Sequence, residues 1–104
     1  MALTRSSCKD LIYSILKEMK DQSFKEFKEY LNDEDTLKPL KHIPVAELET
    51  ADRIDVPGLL IKHYTKEEAL NVTLKLLEAI GETNLAKKFK SKGYEEQYEI
   101  RDLK

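Results

Sequence analysis

The chain has 104 residues, with 18 lysines and arginines against 20 aspartates and glutamates, and a formal net charge of −2 at pH 7. That length suits one domain with its own core, and the lone cysteine, Cys8, excludes an intrachain disulfide framework. The balanced charge lacks the basic excess of a free-standing nucleic-acid binder, and no stretch approaches the roughly 20 apolar residues of a membrane span.

Three glycines and three prolines punctuate the chain, β-branched runs are scarce, and the elements read as helices. Ser7-x-x-Asp10 has the form of a capping box, and Leu11, Ile12, Ile15, Leu16 and Met19 follow at helical spacing. Ser23-x-x-Glu26 repeats the form beside a stripe of Phe24, Phe27 and Leu31. Residues 32–41, with Asp33, Glu34 and Asp35 ahead of Leu37, Pro39 and Leu40, break the pattern and predict a long connection, mobile at its start. Pro44 suits the first position of a short helix through Val45, Leu48 and Ala51. Asp55 is placed to cap the next helix, with Pro57 in its tolerant first turn and Leu59, Leu60 and His63 beyond.

Thr65-x-x-Glu68 is a third capping box. The helix behind it carries Ala69, Leu70, Val72, Leu74, Leu76, Leu77, Ala79 and Ile80 on more than one face, which predicts a central, mostly buried element. Gly81 suits its C-terminal cap. Thr83 opens a last helix with Leu85, Ala86 and Phe89, ended by Gly93, and residues 94–104 read as a frayed extension or linker. The fold class is therefore all-α: six short helices around one core in residues 1–93. Leu11, Leu16, Phe24, Phe27, Leu48, Leu60, Leu70, Leu74, Leu77 and Ile80 are its expected core, while Val56 and Pro57 are expected partly exposed.

Catalytic chemistry finds little support. His42, His63 and Cys8 lack metal-ligand spacing, no serine sits in a nucleophile elbow, and no glycine-rich phosphate loop occurs. No cofactor is expected. Asn71-Val72-Thr73 matches a glycosylation pattern but falls inside the predicted central helix. The N-terminus has no apolar run of signal-peptide length, so a cytoplasmic location is expected.

Three segments resemble the pyrin domain family of the death-fold superfamily, in order, across residues 10–91. They are Phe24-Lys25-Glu26-Phe27-Lys28-Glu29-Tyr30-Leu31; Ile43-Pro44 with Ala51-Asp52-Arg53-Ile54-Asp55-Val56-Pro57-Gly58-Leu59-Leu60-Ile61; and Tyr64-Thr65-Lys66-Glu67-Glu68-Ala69-Leu70 with Leu74 and Leu77. The resemblance implies an antiparallel six-helix bundle with a long loop between helices two and three and a short third helix. It also implies homotypic binding to a pyrin-containing adaptor or sensor, with self-association into filaments, in inflammasome-type signalling.

Such assembly needs two complementary patches that meet head to tail. The basic candidates are Lys25 and Lys28, three apart on one helix face, with Lys38 or Lys41 from the following loop. The acidic candidates are Glu18, Asp52 and Asp55, with Asp10. By resemblance Lys25 matches a key basic position, and Asp52 and Asp55 match the acidic face. Lys17 stands where the family often has an acid, and Val45 where a basic residue is common, which bears on self-assembly and partner choice. Two alternatives remain at this point: a helical nucleic-acid binder using Lys87, Lys88, Lys90 and Lys92 or the helix-two lysines, and a free-standing pyrin decoy that regulates assembly.

Overall fold

Seven helices form in the computed structural model, which describes residues 5–95, with side chains from Cys8 to Gly93. They are α1 (Arg5–Leu16), α2 (Asp21–Leu31), α3 (Glu34–Leu37), α4 (Val45–Leu48), α5 (Asp55–His63), α6 (Lys66–Ala79) and α7 (Thr83–Glu95). No strand occurs among the described residues. The helix beyond the expected six is α3, a single turn inside the 32–41 connection. Asp33 caps it by accepting from the Asp35 amide at 3.1 Å and the Thr36 hydroxyl at 2.7 Å, and Leu37 turns inward, 2 % exposed.

Helix boundaries follow local chemistry, though not always the residues expected. Ser7 is already helical, so it does not stand ahead of α1. Ser23 lies inside α2, which starts two residues earlier because Lys20 is extended (φ −67°, ψ 157°) and Asp21 opens the first turn. A carboxylate there suits the positive end of the helix dipole. Thr65 and Glu68 do form the reciprocal box: the Thr65 hydroxyl accepts from the Glu68 amide at 3.1 Å, and the Glu68 carboxylate accepts from the Thr65 amide at 3.0 Å. Pro44 sits just before α4, its carbonyl accepting from the Glu47 amide at 3.0 Å.

Gly81 stops α6 as expected. Its φ of +82° favours glycine, and the amides of Glu82 and Gly81 close on the carbonyls of Leu77 (2.8 Å) and Glu78 (3.2 Å), the paired bonds of a Schellman turn. Gly93 does not end the last helix, since α7 runs on to Glu95. The remainder of the expected extension, residues 96–104, lies outside the described residues.

The central role of α6 holds. It packs against α1, α2, α5 and α7, and Ala69, Leu70, Val72, Thr73, Leu74, Leu76 and Leu77 are all buried. Thr73 costs no unpaired group there, because its hydroxyl donates to the Ala69 carbonyl at 2.8 Å. The expected core residues are buried except Ile80, which is half-buried at the rim. Each fully buried leucine or phenylalanine among them contributes about 1.5–3 kcal/mol. Cys8 joins this core, and burial pushes its thiol pKa up to about 11.

Residues 32–54 are held differently, by side chains that satisfy backbone carbonyls. The Asn32 amide nitrogen donates to the Ile43 carbonyl at 2.8 Å, and the Ile43 amide donates to the Leu31 carbonyl at 2.8 Å. The Tyr64 hydroxyl donates to the Lys41 carbonyl, and the Lys28 ammonium donates to the Ala51 carbonyl at 2.9 Å. This edge of the bundle carries Lys38, Lys41 and Asp52, and Lys28 and Asp55 border it.

Candidate interaction surface

Asp52 and Asp55 lie together at the entrance to α5 and are tied to each other. The Asp52 carboxylate accepts from the amides of Ile54 (3.1 Å) and Asp55 (3.3 Å), and the Asp55 carboxylate accepts from the Asp52 amide at 3.2 Å. The amides of Asp55 and Val56 also donate to the Asp52 carbonyl, both at 3.1 Å. This is a capping box built from two aspartates, with Asp52 in the cap position expected for Asp55. Both side chains remain exposed.

The capped turn precedes α5, which itself begins at Asp55. Val56 and Pro57, expected partly exposed, are buried. The apolar residue that reaches solvent is Ile54, 65 % exposed between the two aspartates in sequence. Periodicity missed it because Ile54 belongs to the capped turn, not to the helix stripe.

Arg53 anchors the same turn. Its guanidinium donates to the Asp21 carboxylate at 2.6 Å and to the Leu16 carbonyl at 3.4 Å, and lies 4.9 Å from the centre of the Phe24 ring. The Lys28 ammonium approaches that ring at 5.2 Å while it donates to Ala51. Phe24 is thus flanked by two cations, each attracted to the ring face. Lys28 is half-buried and engaged with the residue just before Asp52. The basic helix and the acidic turn therefore share an edge.

Lys25, one turn from Lys28, is exposed and has no ion-pair partner among the described residues. It lines a groove of ≈ 530 Å³ between α2 and α4, with Lys28, Glu29, Asn32, Val45, Leu48 and Glu49. Val45 is 61 % exposed at this groove, so the position lacking a basic residue offers apolar surface instead. Lys41 is exposed on the connection, held there through its carbonyl by Tyr64. Lys38 makes an exposed pair with Asp35 at 3.4 Å. Asp10 is exposed on α1.

Glu18 stands apart from its expected companions. Its carboxylate accepts from Lys88 of α7 at 2.7 and 2.8 Å. That hydrogen bond, aided by the charges of Lys88, Lys92 and Lys17, holds the carboxyl below the usual glutamate range. Part of the late lysine run is thereby engaged within the molecule. On α4, Glu47 is similarly held down by hydrogen bonds from His63 (3.0 Å) and Lys62 (3.2 Å). Among the described residues no group of histidine, cysteine or carboxylate side chains is arranged to hold a metal ion.

The arrangement offers contact chemistry: a preformed turn with an apolar tip flanked in sequence by two aspartates, and a groove with an apolar floor and both lysines and glutamates at its rim. Comparison with known proteins agrees with that character. The PAAD/DAPIN/Pyrin domain family model matches residues 11–87. The chain is 42 % identical over 73 residues to NACHT, LRR and PYD domains-containing protein 9 of Bos taurus, and 36 % identical over 70 residues to NACHT, LRR and PYD domains-containing protein 4E of Mus musculus. Those matches cover 70 % and 67 % of this chain but only 7 % of each relative. The solution structure of the pyrin domain of human Pyrin superposes with a TM-score of 0.74 at 27 % identity, covering 85 % of this chain and 98 % of that one. The chain belongs to the pyrin domain family, and its all-helical bundle is the death fold of that family.

Proposed function

We propose that this chain is a non-enzymatic interaction module that binds a pyrin domain of an adaptor or sensor within an inflammasome-type assembly in the cytoplasm. Pyrin domains interact with other pyrin-domain proteins, and the relatives named above carry such a domain in much longer chains. The observation that carries the reading is the turn at residues 52–55. Ile54 is exposed between two aspartates in sequence, whose carboxylates are fixed by reciprocal caps, so little ordering entropy is lost on contact. Its complement is a groove such as the one lined by Lys25, Lys28, Val45 and Leu48, with an apolar floor and a rim where those lysines stand beside Glu29 and Glu49. Because turn and groove are different surfaces, their contact is head to tail.

The capping role of Asp52 dictates the test. Asp52→Asn keeps an oxygen to accept from the turn amides and removes only the charge, whereas Asp52→Lys reverses the charge and removes the cap. Pull-down and negative-stain microscopy with a panel of adaptor and sensor pyrin domains, that of human Pyrin among them, are the readouts. Asp52→Asn, Ile54→Ala and Lys25→Glu are each expected to weaken partner capture at unchanged helicity, with losses of about 2–5 kcal/mol if the charge pair is buried on binding. Full capture by all three variants would count decisively against this surface.

A further inference from the structure

We propose that Lys28 and Arg53 are positioning residues: clamped on Phe24, they hold the 51–55 turn in the orientation it presents to a partner. This role deepens the reading above and rests on it. It moves Lys28 from the basic contact patch to the support of the acidic turn.

Two cations bracket the start of that turn. The Lys28 ammonium donates to the carbonyl of Ala51, one residue ahead of the Asp52 cap, at 2.9 Å. The Arg53 guanidinium, one residue beyond the cap, donates to the Leu16 carbonyl at 3.4 Å and the Asp21 carboxylate at 2.6 Å. Asp52 therefore lies between two residues tied to different places, α2 on one side and the α1–α2 corner on the other. Both cations meet at the same ring: Lys28 lies 5.2 Å and Arg53 4.9 Å from the centre of Phe24, which is buried in the core.

The caps alone cannot do this. The hydrogen bonds made by the Asp52 and Asp55 carboxylates and by the Asp52 carbonyl all close within residues 52–56, so they fix the internal shape of the turn and not its direction on the bundle. Val56 and Pro57 bury their side chains, but burial is non-directional. The ties of Lys28 and Arg53 reach across 23, 32 and 37 positions, and each demands one donor–acceptor geometry.

The two lysines of α2 thereby separate. Lys25 is exposed and has no such tie to the turn among the described residues. Lys28 is half-buried, and although it lines the groove beside Glu29 and Glu49, its ammonium is engaged with Ala51. Lys25 meets a partner directly, and Lys28 acts through the turn.

Lys28→Met keeps an apolar stem over Phe24 and removes the donor; Lys28→Arg keeps a donor and a charge. Arg53→Met makes the parallel change. Amide exchange is followed at Ile54, Asp55 and Val56, whose amides close the turn, and capture of the pyrin-domain panel is measured alongside. Both methionine variants should exchange about tenfold faster in the turn with α6 unchanged, and should capture less; Lys28→Arg should restore both. If Arg53→Met does not fold, the Lys28 pair carries the test. Combined with Asp52→Asn, Lys28→Met should lose less capture than the product of the two single losses, because both act on one turn. Wild-type exchange in the turn of Lys28→Met would overturn the positioning role and leave the proposed function standing. Losses that simply multiply would return Lys28 to the groove as a contact and overturn it equally. Failure of the wild type to capture any pyrin domain would overturn the reading beneath, while the exchange rates still decide whether the clamp holds the turn.

Discussion

The bundle around α6 and the edge formed by residues 32–55 are held by different physics. In the bundle, α1, α6 and α7 bury apolar side chains against one another, with Ile12, Ile15, Leu74, Leu76, Leu77 and Phe89 wholly enclosed. Along the edge, helices are a single turn long and the backbone is caught by side chains: Asn32 on Ile43, Tyr64 on Lys41, Lys28 on Ala51, Arg53 on Leu16. Burial is non-directional and scales with area, whereas a hydrogen bond to a carbonyl fixes one geometry at a modest net gain. The edge is thus shaped more than it is strengthened, and shape is what a contact surface needs.

The largest effect that would sharpen this contrast is a core deletion. Leu74→Ala should cost about 2–5 kcal/mol in a chemical-denaturation measurement, because α6 is enclosed by four helices and a cavity there cannot collapse. A loss well under 1 kcal/mol would mean the bundle is not the principal source of stability. Removing a clip should do less to global stability and more to local order. Asn32→Ala should cost about 1–3 kcal/mol by leaving the Ile43 carbonyl without its side-chain donor. Amide exchange should accelerate across residues 33–51 while α6 stays protected. Uniform acceleration over the whole chain would erase the distinction between the two regions.

The smallest effect concerns the pair that joins the loop after α1 to α7. Glu18 titrates below its ordinary value of 4.5 because Lys88 hydrogen-bonds its charged form. A depressed carboxyl contributes stability above its unfolded pKa and loses it as pH falls through the folded one. Lys88→Ala should therefore melt slightly below wild type at neutral pH, and the gap should close as the solution is acidified below that range. A gap that persists unchanged into strong acid would assign the effect of Lys88 to packing instead of charge.

What could be read from the sequence divides along the same line. Thr65-Glu68 and Gly81 were legible because a capping box and a left-handed C-cap are settled within a few residues, and the stripe of α6 because burial on several faces leaves a dense apolar pattern. Ser7 and Ser23 carried the same local signature without the role, since the chain turns into α1 and α2 earlier. The helix turn at Glu34–Leu37 was hidden by its acidic run, although Asp33 and the inward Leu37 mark it in hindsight. Pro57 drew the reading of α5 toward an exposed first turn, when the real entrance lies at Asp52 and exposes Ile54.

The candidate site was legible in its residues but not in its partners. Lys28 meets Ala51 across 23 positions, Arg53 meets Asp21 across 32, and Glu18 meets Lys88 across 70. Spacing along a helix carries no record of such pairs. They decide that Lys28 is structural as well as basic, that Glu18 is neutralised, and that Lys25 is the lysine of α2 left facing outward.

The two-aspartate cap at the entrance to α5 also limits how this surface can drift. A residue that both starts a helix and displays a charge cannot be exchanged for one purpose alone: a lysine or alanine at position 52 alters recognition and unfastens the turn together. Ile54 carries no such double duty, as its side chain is 65 % exposed and takes no part in the cap. Mutational tolerance should thus be uneven within four consecutive residues, with new partner preferences arising at the tip of the turn while its two carboxylates stay put.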